Sequence, residues 1–164
     1  MNAVGRYFLS ILTLLVAGTA LADENADRAK VNKTELDKLQ GRWKVVSLVQ
    51  RGQDQDEVVK LGLVFTFKDD ALTVTADANA FTTQNRLLRL EANATPKLLD
   101  VAETAKQFEE HKEVVEGVYT LDGDTMQWCF NLDGDQPAKA DRPAAVESKP
   151  DSSTILIKLE RVNN

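Results

Sequence analysis

The stretch VVEGVYTLDGDTMQWCFN (residues 114–131) carries the clearest structural pattern in this sequence. Two runs rich in β-branched, aromatic and other apolar residues, 114–121 and 125–131, flank the dipeptide Asp122-Gly123. Asp-Gly between apolar runs is a strong signal for a tight hairpin, because glycine accepts the positive φ that the turn requires. The stretch therefore predicts two paired antiparallel strands.

Similar short runs, separated by turn residues, occur on both sides of this hairpin. They predict further strands at Trp43–Val49, Leu63–Phe67, Leu72–Thr75, Phe81–Leu90, Lys97–Val101 and Thr154–Leu159. Seven or eight short strands at this spacing, with no alternation of strands and helices, favour an antiparallel sandwich or barrel over a parallel nucleotide-binding sheet. In the first run we expect Trp43, Val45, Ser47 and Val49 to share one face, since side chains alternate along a strand.

Helical signals are few. Thr34 to Leu39 predicts a short helical turn that Thr34 can cap, and Asp54 to Leu61 predicts a short helix with acidic residues in its first turn. Residues 103–112 (ETAKQFEEHK) have helical propensity but a weak apolar face, so a helix and a solvated loop both remain open. The sequence thus predicts a mainly β domain with one or two short helices.

The N-terminus has the pattern of a cleavable signal peptide. Arg6 gives a positive charge, residues 7–16 are almost continuously apolar, and Ala20 and Ala22 supply small residues before Asp23. The apolar run is shorter than the roughly 20 residues that a membrane-spanning helix needs, although a retained anchor is the alternative. We therefore expect cleavage after Ala22, export to the periplasm or beyond, and no stable membrane anchor afterwards.

Composition narrows the function classes. The 164-residue chain has a formal net charge of −6 and no basic cluster, which argues against nucleic acid as a partner, because such binding depends on Lys and Arg contacts to phosphates. Cys129 is the single cysteine, so no disulfide can form within the chain. Because Cys129 lies between Trp128 and Phe130 in an apolar strand, we expect it to be buried and unreactive. The oligomeric state stays open at this level.

Several stretches, in the same order, resemble a family of lipocalin-like domains found in planctomycete proteins. They are LQGRWKVVS (39–47), LVFTFKDDALTV (63–74), GVYTLDGDTMQWCF (117–130) and RPAAVESKPDSSTILIKLER (142–161). The resemblance covers roughly residues 36–161 and implies a single antiparallel, eight-stranded, lipocalin-like β-barrel. It implies no activity.

Combined with the other signals, the resemblance divides the chain into four parts. They are a signal peptide (1–22), a flexible leader (23–35), the barrel domain (36–161) and a short tail (162–164).

Catalytic, metal and cofactor sites are not predicted. His111, the sole histidine, lies in a charged segment, and no sequence feature supplies it with a nucleophile or an orienting partner. Asp122-Gly123-Asp124 and Asp133-Gly134-Asp135 lack the full ligand set of a calcium loop and are typical of turns. We therefore expect a protein that is not an enzyme.

The interior of the predicted barrel is the remaining candidate site. Barrels of eight strands are either filled by side chains or hold one small ligand. The candidate pocket residues are large and apolar and lie on predicted strands: Trp43, Phe65, Phe67, Tyr119, Met126, Trp128 and Phe130. One hypothesis is an exported binding protein for a small apolar ligand; the alternative is a domain with a filled core that engages another envelope protein through its surface.

Overall fold

The strands of the chain form a closed antiparallel β-barrel. The computed structural model describes residues 8–76, 85–133, 136–137 and 142–163. In chain order the strands are β1 (Gly41–Gln50), β2 (Gln53–Asp54), β3 (Val64–Lys68), β4 (Ala71–Thr75), β5 (Arg86–Glu91), β6 (Lys97–Ala102), β7 (Val115–Asp122), β8 (Thr125–Asp133), β9 (Gln136–Pro137) and β10 (Thr154–Arg161). The helices are α1 (Phe8–Leu39), α2 (Asp56–Val59) and α3 (Ala105–Glu110).

Eight of these strands make the wall of the barrel. Their order is β1-β3-β4-β5-β6-β7-β8-β10, and β10 pairs with β1 to close it. The two-residue strands β2 and β9 extend the edges of β1 and β8. Successive wall strands are neighbours, and two-residue turns join β3 to β4 and β7 to β8. The predicted eight-stranded antiparallel barrel is confirmed.

The hairpin that dominates the sequence pattern forms as predicted. Strands β7 and β8 pair over their length, with Leu121 opposite Met126 and Asp122 opposite Thr125. Gly123 in the turn has φ +56°, the left-handed conformation for which glycine is suited. The Asp122-Gly123 turn therefore sets the register between β7 and β8.

Strand β1 differs from its predicted alternation. Its register against β10 shifts between Val45 and Ser47, which is a β-bulge. The extra residue reverses the alternation, so Leu48, rather than Ser47 or Val49, lies opposite Ile157 on the inner face. Leu48 is accordingly buried, whereas Ser47 and Val49 are half-buried.

Helix α1 is much longer than the predicted turn at 34–39. It includes residues 23–35, for which the sequence predicts a flexible leader. The side-chain amide of Asn32 donates to the Leu90 carbonyl (2.9 Å) and accepts from the Ala92 backbone N–H (2.8 Å). These contacts with the β5–β6 turn hold the helix against the barrel and are not apparent from composition.

Helix α3 resolves the ambiguous segment 103–112 in favour of a helix. Thr104 and Gln107 form a reciprocal capping box at its start, and Phe108 is buried under the guanidinium of Arg89, 4.4 Å from the ring centroid. His111 ends the helix in the left-handed conformation and is exposed. The cap and one buried aromatic residue thus compensate for the weak apolar face.

The outer wall also carries buried groups, covered by residues 142–150. Arg142 makes a two-point ion pair with Asp100, and this hydrogen bonding raises the pKa of Arg142. Cys129 is fully buried, as predicted, and its thiol donates to the Glu147 carbonyl (3.2 Å). Burial raises the pKa of the Cys129 thiol, so it stays protonated.

In the part of the chain that the structure describes, no helix has both the length and the apolar character needed to cross a membrane.

Candidate functional site

The two ends of the barrel interior are filled differently. We call the end covered by the last turns of α1 the closed end, and the end beside α3 the open end. At the closed end the inward side chains are fully or almost fully buried: Leu39, Trp43, Phe67, Tyr119, Met126 and Leu159. The Trp43 indole N–H donates to the Leu39 carbonyl of α1 (2.7 Å), which ties the helix to the barrel.

A buried carboxylate completes the closed end. Glu35 of α1, with only 5% of its side chain exposed, forms ion pairs with Lys97 and Lys38 and accepts a hydrogen bond from the Tyr119 hydroxyl (3.4 Å). Burial alone would raise the pKa of Glu35, but the two lysines outweigh it and lower that pKa. Burial beside Glu35 raises the pKa of Tyr119, which keeps its phenol protonated.

Arg161, on the last strand, also contributes to the closed end. Its guanidinium lies 4.1 Å from the Trp43 ring centroid and donates to the carbonyls of Lys38 and Gln40 (both 2.7 Å) at the end of α1. It also donates to Asp124 (2.8 Å) in the β7–β8 turn. The helix end, the indole and the last strand are therefore locked together.

The open end contains a cavity of about 440 Å³. Its wall is mostly apolar: Phe65, Leu72, Val74, Val101, Val115, Trp128, Phe130 and Leu132. Phe65 meets Trp128 edge-on (6.5 Å between centroids, 77°), and Trp128 tilts against Phe130 (4.3 Å, 40°). Three aromatic rings in contact thus form part of the cavity wall.

The position of Trp128 depends on the glycine opposite it. A Cβ on Gly117 would lie 2.2 Å from the indole nitrogen, so only glycine leaves room for the ring across β7. There the indole N–H donates to the Leu99 carbonyl (3.2 Å). Because its polar group is satisfied within the wall, Trp128 presents an apolar surface to the cavity.

Polar residues surround the mouth of the cavity. Arg86, at the start of β5, forms an ion pair with Glu103 (2.9 Å) on the β6–α3 connection. The Gln107 side chain donates to Glu113 (2.9 Å) and accepts from the backbone N–H groups of Glu103 and Thr104. The mouth therefore has charged and amide groups above an apolar wall.

The predicted pocket residues divide between the two ends. Phe65, Trp128 and Phe130 line the cavity, whereas Trp43, Phe67, Tyr119 and Met126 belong to the filled closed end. The pocket prediction did not name the other wall residues or the polar mouth. Alternation along a strand could have indicated some of the wall residues, such as Val101 and Val115.

The further cavities on the outside include two of comparable size. One, of about 420 Å³, is bounded by a single face of α1 between Asp27 and Lys38, and one of about 550 Å³ lies beside residues 92–97 and 119–121. Neither is lined by the buried aromatic residues that surround the open end. We therefore take the open end as the candidate site, although it is not the largest.

Within the described residues, no group of three His, Cys, Asp or Glu side chains is placed to hold a metal ion. Comparisons of the chain with protein-family models, with curated proteins and with solved structures give no match.

Proposed function

We propose that this protein binds one small, largely apolar molecule in the cavity at the open end. The observation that carries the proposal is a space of about 440 Å³, next to buried aromatic rings, in a barrel whose other end is filled. Pockets for small molecules range from about 300 to 1,000 Å³ and combine apolar walls with a few polar groups. The open end matches that description in size and in chemistry.

The role we propose is binding without catalysis. The two side chains most able to act as nucleophile or base lie away from the cavity: Cys129 is on the outer face of β8, and His111 is exposed at the end of α3. The alternative, a domain with a filled core that acts through its surface, predicts a barrel without such a space. If the binding experiment fails, the surface of the domain becomes the preferred functional region.

The experiment measures binding of N-phenyl-1-naphthylamine, a neutral apolar dye that fluoresces in apolar surroundings. We expect saturable binding by the native protein. Val115→Phe places extra volume at the cavity wall and should weaken dye binding at least about tenfold, equivalent to about 1.4 kcal/mol. Val46→Phe adds the same atoms to an exposed position of β1 and should leave binding unchanged.

Native mass spectrometry of the purified protein provides a second test, because a bound molecule adds mass. No saturable dye binding together with no added mass contradicts the proposal. Equal loss of binding in both phenylalanine variants contradicts the cavity as the site, since Val46 is exposed and does not line it.

We also propose that the protein is exported and that residues 1–22 are removed. Arg6, the apolar run 7–16 and the small residues before Asp23 support this. Expression of the full chain in a bacterium, fractionation and intact-mass measurement test it. The expected product is an exported chain that begins at Asp23; an 18.2 kDa full-length chain in the membrane fraction contradicts it.

A further inference from the structure

On the strands that the structure describes, the charged side chains at inward register positions are all cations. Among the described strand residues, the charged ones at inward register positions are Lys97 opposite Tyr119, Arg161 opposite Trp43, and Arg86 opposite Leu72. A charge that turns toward a low-dielectric interior is costly unless an opposite charge or hydrogen-bond acceptors compensate it. Each of these three residues therefore needs partners.

At the closed end the partners come from a segment that fills the barrel. Lys97 pairs with the carboxylate of Glu35, and Arg161 donates to main-chain carbonyls of Lys38 and Gln40 and to the carboxylate of Asp124 in the β7–β8 turn. Helix α1 thus supplies both the apolar groups that close this end and the acceptors that compensate its inward cations. Apart from Asp124, the segment that ends at Gln40 supplies both the apolar filling and the acceptors.

At the open end no side chain fills the apolar cavity, and the partner of Arg86, Glu103, is held only weakly. Arg86 contacts Glu103 through one nitrogen, and 59% of the Glu103 side chain is exposed, against 38% for Arg86. Ion pairs at such exposure contribute between about 0 and 1 kcal/mol, so another carboxylate can replace Glu103 at little cost. A ligand carboxylate can accept two parallel hydrogen bonds from the guanidinium, which is the stronger geometry.

We propose that the ligand of this cavity is an amphipathic monocarboxylic acid, whose carboxylate binds Arg86 and whose apolar part lies against Trp128 and its neighbours. This assignment rests on the proposed function. Such a ligand would fill the apolar space at the open end and would also supply an acceptor for Arg86. Helix α1 does both at the closed end, where it fills the interior and supplies acceptors for the inward cations. The carboxylates of Glu103 and Glu113 at the mouth favour the opposite preference, a cationic amphiphile, so the test includes one.

The experiment compares decanoate, decanol and decylamine, which share one apolar chain, as competitors that displace N-phenyl-1-naphthylamine at neutral pH. We expect decanoate to bind at least about tenfold more tightly than decylamine. In Arg86→Gln this ratio should fall to about one. Arg42→Gln, which removes the same charge from an exposed position of β1, should keep the wild-type ratio.

The outcomes separate this inference from the proposed function. If the dye binds and all three competitors displace it equally, or decylamine is preferred, the cavity binds ligands and the carboxylate assignment is wrong. The assignment is also wrong if Arg86→Gln keeps the wild-type ratio. If the dye does not bind at all, the proposed function fails first.

Discussion

The closed and open ends of the barrel consist of the same strands but differ in what occupies the space between them. At the closed end, the last turns of α1 bring Leu39 and Glu35 against Trp43 and Tyr119, and the indole, the carboxylate and the phenol there all have partners. At the open end, α3 packs through Phe108 beside the mouth and leaves a cavity of about 440 Å³. The barrel is therefore tightly packed at the closed end and keeps a cavity at the open end.

This difference indicates a division of roles, in which the closed end contributes stability and the open end binds the ligand. Well-packed, fully paired interiors contribute most of the free energy of folding, whereas binding regions are drawn from less stable parts of a structure. The chain offers matched residues at the two ends, a leucine, a glutamate and an arginine, whose substitution tests the division. The predictions below are ordered by the size of the expected effect.

The leucine pair should show the largest difference. Leu159 is fully buried at the closed end, and Leu159→Ala should lower the free energy of unfolding by about 3 kcal/mol, because a new void forms in tight packing. Leu132 is half-buried and already borders the cavity, so Leu132→Ala should cost about 1 kcal/mol. Urea unfolding followed by circular dichroism measures both, and equal losses would contradict the division.

The glutamate pair tests the ion pairs. Glu35→Gln should lower the free energy of unfolding by about 2 kcal/mol at pH 7, since a buried charge-assisted network loses its carboxylate. Glu103→Gln should change it by about 0.5 kcal/mol or less, because the Arg86–Glu103 pair is exposed. A loss at Glu103 as large as that at Glu35 would show that the open end is also held by its ion pair.

The effect at Glu35 also has a predicted pH dependence. Because the pKa of Glu35 in the folded protein is lowered from its ordinary value of 4.5, its contribution to stability is fully present above that pH. It is lost as the pH falls below 4.5 and through the folded-state pKa. The difference between wild type and Glu35→Gln in the free energy of unfolding should therefore narrow as the pH falls below 4.5 in the same urea experiment.

Local signals in the sequence predicted the barrel well. The Asp122-Gly123 turn and the strand at Thr154–Leu159 are signalled by neighbouring residues only, and the structure confirms both. The bulge at Val46 could not be predicted from neighbouring residues. No glycine or proline marks it, and its effect on Leu48 appears only in the pairing with β10.

The site was harder to predict, because its features depend on long-range pairing. Alternation shows which face of a strand a residue occupies but not its height along the barrel, which the stagger between strands decides. Phe65 and Phe67 therefore look equivalent in the sequence, yet only Phe65 borders the cavity. Glu35 and Lys97, 62 residues apart, likewise look like separate surface charges until the fold brings them together.

The arginine pair should show the smallest difference in stability. Arg161→Gln should cost about 1.5 kcal/mol, because it removes the stacking on Trp43 and charged donors to the last carbonyls of α1. Arg86→Gln should cost about 0.3 kcal/mol, since it removes one exposed ion pair and leaves the packing intact. Hydrogen exchange gives the decisive measurement, because Arg161→Gln should speed exchange in the C-terminal turns of α1 and Arg86→Gln should not. Faster exchange of α1 in Arg86→Gln would mean that the two ends are coupled through the barrel wall, and a ligand at the open end would then also stabilise the closed one.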